Sequence, residues 1–103
     1  MPMKVLFICN QNQNRSKTAE EIFKGKLQTK SAGLYNEKPV SRKQMSWADT
    51  IIVMEEFQRH ELAKRFPDQY IKKRILSMDI PDVYAYNQPE LIDLMKDKIK
   101  ELL

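Results

Sequence analysis

The sequence contains very little glycine, cysteine and histidine. Of 103 residues, two are glycine, one is cysteine and one is histidine. So few glycines argue against long flexible linkers, and the length suits one folding unit, so we predict a single domain over residues 1–103. One cysteine excludes an intramolecular disulfide, and one histidine leaves too few ligands for a zinc site. We therefore expect no metal and no cofactor.

Long apolar runs and a strong excess of one charge are also lacking. The apolar run after Met1-Pro2-Met3-Lys4 is far too short for a signal peptide or a membrane span. We therefore expect a cytoplasmic protein without membrane association, in which the thiol stays reduced. The net charge of +4 is spread along the chain, as is typical of a solvated surface, and we expect no nucleic-acid partner. No pattern indicates an oligomeric state.

Apolar runs that suit buried strands alternate with helical patterns. Residues 4–8 form an apolar run with β-branched side chains, as expected for a strand buried on both faces of a parallel sheet. From Ser16 onward, apolar residues recur at helical spacing. Three further strands are predicted, one ending at residues 31–33 and two at residues 50–54 and 74–78. Helices are predicted at residues 55–66, stopped by Pro67, and from Pro89 onward.

Two connections complete the pattern: residues 35–46 are predicted to be a polar connection and residues 79–88 a loop. The fold class predicted by this order is single-domain α/β, a four-stranded parallel sheet with helices on both faces. In such sheets ligands bind beyond the carboxyl ends of the strands. Cys9 and residues 79–82 both follow strands at that edge, so we expect them to lie near each other.

The first of these loops, CNQNQNRS, joins a buried strand to a helix. If it wraps into a semicircle, its N–H groups and the helix N-terminus form a cradle for a phosphate dianion. Arg15 would add a bidentate clamp on two phosphate oxygens. The same positive surroundings would favour a thiolate at Cys9, and Ser16 could donate a hydrogen bond to it. A thiolate beneath a phosphorus atom is a nucleophile placed for in-line attack.

The second loop, MDIPDVYAYN, offers carboxyl groups for the proton that a leaving oxygen needs. Either Asp79 or Asp82 can serve as this general acid. Aspartates beside Pro81 are also common turn formers, so one of the two is expected to be structural. Tyr84 and Tyr86 are candidates for an apolar wall against an aromatic substrate, and packing residues are the alternative interpretation for both.

These motifs resemble the low-molecular-weight protein tyrosine phosphatases. The string from Cys9 to Ser16 is similar to their C-x5-R-[S/T] loop, WADTIIVMEEFQRHEL to their AD-x-I-x-x-M strand and helix, and DIPDVY to their DPYY-type acid loop. The resemblance implies that Cys9 is the nucleophile, Arg15 the phosphate clamp and Asp82 the general acid. It also implies that Asn12 holds unusual backbone torsions and that Ser16 donates to the thiolate. The implied phosphate-binding residues are Asn10, Gln11, Asn12, Gln13, Asn14, Arg15 and Ser16.

The resemblance implies two-step, metal-independent hydrolysis of a phosphorylated protein or a small aryl phosphate through a phosphocysteine. Three departures stand beside it. The segment between Ser31 and Trp47 is shorter than in typical members, so we expect a shallower pocket. Asn14 stands where many members have a second cysteine, so no protective disulfide with Cys9 can form. Val83 replaces the proline that follows the acid, which leaves that loop less rigid.

Two other functions are compatible with the same residues. The shortened pocket wall favours a non-catalytic module that binds phosphate or a phosphoprotein without turnover. Arsenate reduction is a further alternative, because arsenate mimics phosphate, but thioredoxin-coupled reduction requires additional cysteines that the sequence does not contain. The cysteine-dependent phosphatase is therefore the leading hypothesis.

Overall fold

Four parallel strands form one sheet in the computed structural model, which describes residues 3–103. The strands stand in the order β2-β1-β3-β4, so that β1 and β3 are central. Every pairing is parallel, and Cys9 at the end of β1 lies opposite Gly33 of β2. This confirms the predicted fold class. The strands are β1 (Lys4–Cys9), β2 (Gln28–Gly33), β3 (Thr50–Val53) and β4 (Arg74–Ser77).

In the part of the chain that the structure describes, five helices connect and flank these strands. They are α1 (Arg15–Phe23), α2 (Arg42–Trp47), α3 (Glu56–Arg65), α4 (Pro67–Lys72) and α5 (Pro89–Leu102). Within residues 3–103, none of them has the length and apolar character needed to span a bilayer.

Side chains of β1 alternate between two buried clusters, one on each face of the sheet. Val5, Phe7 and Cys9 face a cluster that includes side chains of α1 and α5. Leu6 and Ile8 face the other cluster, which includes side chains of α2 and α3. Successive side chains of a strand point to opposite faces, so a strand covered on both faces must be apolar throughout. This explains the uninterrupted apolar run from Val5 to Cys9.

Two helices differ from the prediction. Residues 35–46 were predicted to be a polar connection, but α2 begins in this stretch, where the Ser41 and Gln44 side chains form a reciprocal capping box. Pro67 stops α3 as predicted, and it also occupies the first turn of α4. Both unpredicted helices have six residues, and only Met45 of α2 and Gln69 of α4 are buried, so neither produces an apolar periodicity in the sequence.

Hydrogen bonding continues past the strand ends toward the expected ligand edge. Beyond β1 and β2, the Leu34 N–H donates to the Cys9 carbonyl (3.0 Å) and the Tyr35 N–H to the Asn10 carbonyl (2.8 Å). Beyond β3 and β4, the Met78 N–H donates to Val53 O and the Ile80 N–H to Met54 O. These bonds hold the loops after β1, β3 and β4 at one edge of the sheet.

Gly33, at the end of β2, is packed closely against the loop that follows β1. A Cβ atom on Gly33 would lie 2.9 Å from the Asn10 carbonyl oxygen and 2.4 Å from Asn36 Oδ1. The backbone at Asn10 would have to move, so we expect Gly33→Ala to lower the free energy of unfolding by about 1–3 kcal/mol. We also expect it to weaken binding of inorganic phosphate, measured by calorimetry alongside urea unfolding.

Gly25→Ala is the matched control. Gly25 has φ +100°, but no atom lies within 4 Å of the added Cβ. We therefore expect Gly25→Ala to lower the free energy of unfolding by about 1–2 kcal/mol through backbone strain alone. We expect this variant to bind phosphate as the wild type does. Wild-type phosphate binding by Gly33→Ala would contradict the close packing of Gly33 against the loop.

Candidate active site

The loop between β1 and α1 curls at the carboxyl edge of the sheet. Asn12 has φ 53°, in the left-handed region that asparagine tolerates better than most residues. Its Oδ1 accepts a hydrogen bond of 2.7 Å from Ser16 Oγ in the first turn of α1. The Asn12 side chain therefore stabilises the curled loop through a bond to α1, outside the lining of the cavity described below. The unusual torsion expected at Asn12 is present.

Cys9 lies at the base of this loop and is 3% exposed. Its Sγ is 2.9 Å from Ser16 Oγ, which is itself fully buried. A hydroxyl has one proton to donate, so the thiol and thiolate states of Cys9 require different arrangements. A thiol can donate to Ser16 while Ser16 donates to Asn12. A thiolate can only accept, so the Ser16 hydroxyl then donates its hydrogen bond to Sγ, and Asn12 can present its amide NH₂ to the Ser16 oxygen after a flip.

Arg15 is the largest fully buried side chain, at 1% exposure. Its NH1 group donates to Glu55 Oε1 at 2.5 Å and to the Ile80 carbonyl at 2.7 Å. Its Nε atom has no hydrogen-bond partner among residues 3–103, and Asp82 Oδ1 lies 3.7 Å from it. A buried donor without a partner costs about 1–3 kcal/mol, so the free edge of this guanidinium suits an anion.

A small cavity of about 50 Å³ lies between these groups. Sites for drug-sized ligands are roughly 300–1,000 Å³, whereas one water needs roughly 10–15 Å³ on a comparable measure. The cavity therefore suits a small oxyanion with the rest of its ligand outside. The residues that line it are Cys9, Asn10, Gln11, Gln13, Asn14, Arg15 and Asp82.

The structure brings together all three predicted catalytic residues, Cys9, Arg15 and Asp82, at this cavity. Of the predicted phosphate-binding set, Asn12 and Ser16 are outside the lining and brace the loop. Asp79 also lies outside it. Asp79 has φ 56°, and its Oδ1 accepts a 2.8 Å hydrogen bond from Ser77 Oγ, which identifies it as a turn residue.

Tyr84 and Tyr86, the two candidates for a substrate wall, do not line the cavity. Tyr84 is partly buried and packs against the cluster that contains Phe7 and Phe23. Tyr86 is 47% exposed. A role in binding the remainder of a larger substrate stays a prediction for both.

Two residues of the site were not found from the sequence. Glu55 accepts from Arg15, and the fully buried Gln58 donates from Nε2 to Asn10 Oδ1 at 2.9 Å. Gln58 Oε1 also accepts the N–H groups of Met54 and Glu55. A signal for them exists, because Glu55 follows β3 at the ligand edge and the Glu55–Gln58 spacing is that of a capping box.

The fold is that of the low-molecular-weight protein tyrosine phosphatases. A solved phosphatase of this class from T. tengcongensis is 22% identical with a TM-score of 0.76, covering 98% of this chain and 99% of that chain. The tyrosine phosphatase Wzb from Escherichia coli K30, in complex with phosphate, is 18% identical with a TM-score of 0.77, covering 99% and 96%.

The YwlE arginine phosphatase from Geobacillus stearothermophilus is also similar, at 19% identity and a TM-score of 0.76, covering 98% and 92%. No protein-family model and no curated protein matches the sequence. At these identities the structures establish the shared fold and no more.

Asn12 provides a test of how the loop is held. We expect Asn12→Ala to lower the free energy of unfolding by about 1–3 kcal/mol, because alanine is strained at φ 53° and the bond to Ser16 is lost. Asn12→Gly loses the same bond without the strain, and we expect a smaller loss. Urea unfolding measures both, and equal losses would show that the backbone torsion contributes nothing.

Proposed function

We propose that this chain is a cysteine-dependent phosphomonoester hydrolase that acts through a phosphocysteine intermediate. The observation that carries the proposal is one small cavity lined by a buried thiol, the free edge of a buried guanidinium and a carboxyl group. These are a nucleophile, an anion clamp and a proton donor, the three groups that phosphoryl transfer to sulfur needs. The structural similarity to phosphatases supports the same conclusion.

In the first step, the phosphate group of the substrate occupies the cavity. Arg15 binds it through Nε and NH2, since NH1 is held by Glu55 and Ile80. The Cys9 thiolate attacks phosphorus, an S–P bond forms, and the P–O bond to the leaving group breaks in line with it. Asp82, in its protonated form, gives its proton to the leaving oxygen, so that an alcohol or phenol departs.

In the second step, the Asp82 carboxylate accepts a proton from a water molecule. The water oxygen attacks phosphorus, the S–P bond breaks, and inorganic phosphate and the Cys9 thiolate are released. Ser16 stabilises the departing thiolate through the 2.9 Å contact between Oγ and Sγ. Each proton that Asp82 gives in the first step is recovered in the second, so the cycle returns the site to its starting state.

We propose a phosphorylated protein as the substrate, with phosphotyrosine as the phosphorylated residue. Two of the similar structures described above are named as tyrosine phosphatases, which supports this choice, and the third is named as an arginine phosphatase. Parallel assays with phosphotyrosine and phosphoarginine peptides compare the two classes directly. Phosphoarginine has a P–N bond and is a phosphoramidate, whereas phosphotyrosine is a phosphomonoester. A higher kcat/KM for the phosphoarginine peptide would therefore contradict both phosphotyrosine and a phosphomonoester as the substrate, and would leave the phosphocysteine mechanism intact.

Replacement of the nucleophile tests the reaction class. We expect Cys9→Ser to abolish measurable hydrolysis of p-nitrophenyl phosphate, because a serine hydroxyl at this position is a far weaker nucleophile than a thiolate. Rapid quenching of the wild type during turnover is expected to trap phosphate on Cys9. Phosphopeptide binding without a trapped phosphocysteine would instead indicate a non-catalytic binding module.

A matched pair of aspartate variants tests the general acid. We expect Asp82→Asn to lower kcat by about 10²–10⁴-fold, because the leaving oxygen loses its proton donor. Asp79→Asn removes the same charge three residues earlier and keeps a residue that tolerates positive φ, so we expect a much smaller loss. The opposite ranking, measured with phenyl phosphate, would identify Asp79 as the acid.

A further inference from the structure

The loop that carries Asp82 is fixed to the rest of the protein at its beginning by Ile80. The Ile80 N–H donates to Met54 O at 2.8 Å, and its carbonyl accepts the 2.7 Å bond from Arg15. Beyond this residue the chain forms two turns. One is closed by the Val83 N–H bond to Pro81 O and the other by reciprocal bonds between Ala85 and Gln88. Asp82 itself is 55% exposed, and its contact with Arg15 Nε at 3.7 Å is too long for a hydrogen bond.

The end of the same loop is held by the hydroxyl of Thr18. Thr18 is fully buried on α1, and its Oγ1 accepts a 2.9 Å hydrogen bond from the Asn87 N–H. The same oxygen donates to the Asn14 carbonyl at 2.7 Å. Asn14 lines the cavity. One hydroxyl therefore joins the end of the Asp82 loop to the last residue of the phosphate-binding loop.

This bond holds a backbone conformation that would otherwise be unfavourable. Asn87 has φ 56°, in the left-handed region, which asparagine tolerates better than most residues but which still costs more than ordinary torsions. Without the Thr18 hydroxyl, the second turn keeps its internal bonds between Ala85 and Gln88 but loses its bond to α1, so the turn can shift relative to the phosphate-binding loop. Asp82 would then be held by Ile80, two residues before it, by the two turns and by the partial packing of Tyr84, and the bond that joins the end of its loop to α1 would be lost.

We propose that Thr18 is a positioning residue, whose hydroxyl sets the distance between the Asp82 carboxyl and the cavity. It acts through Asp82 and makes no contact with the reacting atoms. The proposal rests on the proposed function, because it assumes that Asp82 delivers a proton to the leaving group. Its specific consequence is that loss of the hydroxyl impairs proton delivery and leaves phosphate binding and nucleophilic attack in place.

Thr18→Val, which keeps the shape and removes the hydroxyl, tests this consequence with two substrates. Phenyl phosphate has a basic leaving group that needs a proton, whereas p-nitrophenolate leaves with little help. We expect kcat/KM to fall by about tenfold or more for phenyl phosphate and by about twofold for p-nitrophenyl phosphate, as partial loss of a general acid predicts. The quantity kcat/KM is used because it includes leaving-group departure and excludes hydrolysis of the phosphocysteine.

Two controls separate positioning from a general loss of structure. Thr18→Ser restores a hydroxyl and is expected to recover most of the activity toward phenyl phosphate. Thr29→Val is the matched control, since its Oγ1 donates to the carbonyl of Glu20 on the same helix at 2.9 Å, away from the Asp82 loop. We expect Thr29→Val to leave the ratio of the two kcat/KM values unchanged. Thr18→Ala provides a second variant if Thr18→Val does not fold.

A double-mutant cycle gives the decisive result. If Thr18 acts through Asp82, then adding Thr18→Val to Asp82→Asn is expected to change kcat/KM for phenyl phosphate by less than about twofold. Equal losses for both substrates, or the full tenfold loss in the Asp82→Asn background, would overturn the proposal. If Asp82→Asn itself shows no dependence on the leaving group, the assigned general acid is wrong. If Asp82→Asn behaves as expected and Thr18→Val does not, only the role of Thr18 is wrong.

Discussion

The site depends on one buried guanidinium. Arg15 begins α1 directly after the loop that follows β1, its partner Glu55 lies two residues after β3, and its second acceptor, Ile80, lies in the segment after β4. A charge taken out of water must be paired or hydrogen-bonded, or it destabilises the fold by several kcal/mol. The NH1 group of Arg15 therefore has both of its acceptors only when all three segments meet. The site is assembled by the same contacts that fold this edge of the sheet.

The strand order makes that meeting possible. Because β1 lies between β2 and β3, the end of β1 has a neighbour on each side, and both neighbours continue into segments that hydrogen-bond to its loop. On one side, Tyr35 binds the Asn10 carbonyl, and on the other, Gln58 binds the Asn10 side chain. A loop that is held on both sides can keep its N–H groups directed toward one ligand. A loop that follows an edge strand would be held on one side alone.

The sequence was informative where the signal is local and incomplete where it is not. The apolar runs of β1 and β3 are continuous, the apolar residues of α5 recur at helical spacing, and Cys9 and Arg15 are six residues apart at the two ends of one loop. By contrast, α2 is too short to show a period and begins at a side-chain cap. The pairing of Arg15 with Glu55 spans 40 residues, and only the three-dimensional arrangement of the strands selects that carboxylate over its neighbour Glu56.

The absence of glycine from residues 10–14 has a consequence for the unfolded chain. Glycine samples far more backbone conformations when unfolded than asparagine or glutamine does, so a glycine-rich loop loses more entropy when it orders. Here Asn12 makes the left-handed turn. Asparagine carries some torsional strain in this region, but it samples fewer backbone conformations than glycine in the unfolded chain. The loop is therefore expected to reach its curled shape before an anion arrives, and binding needs to order less of the protein.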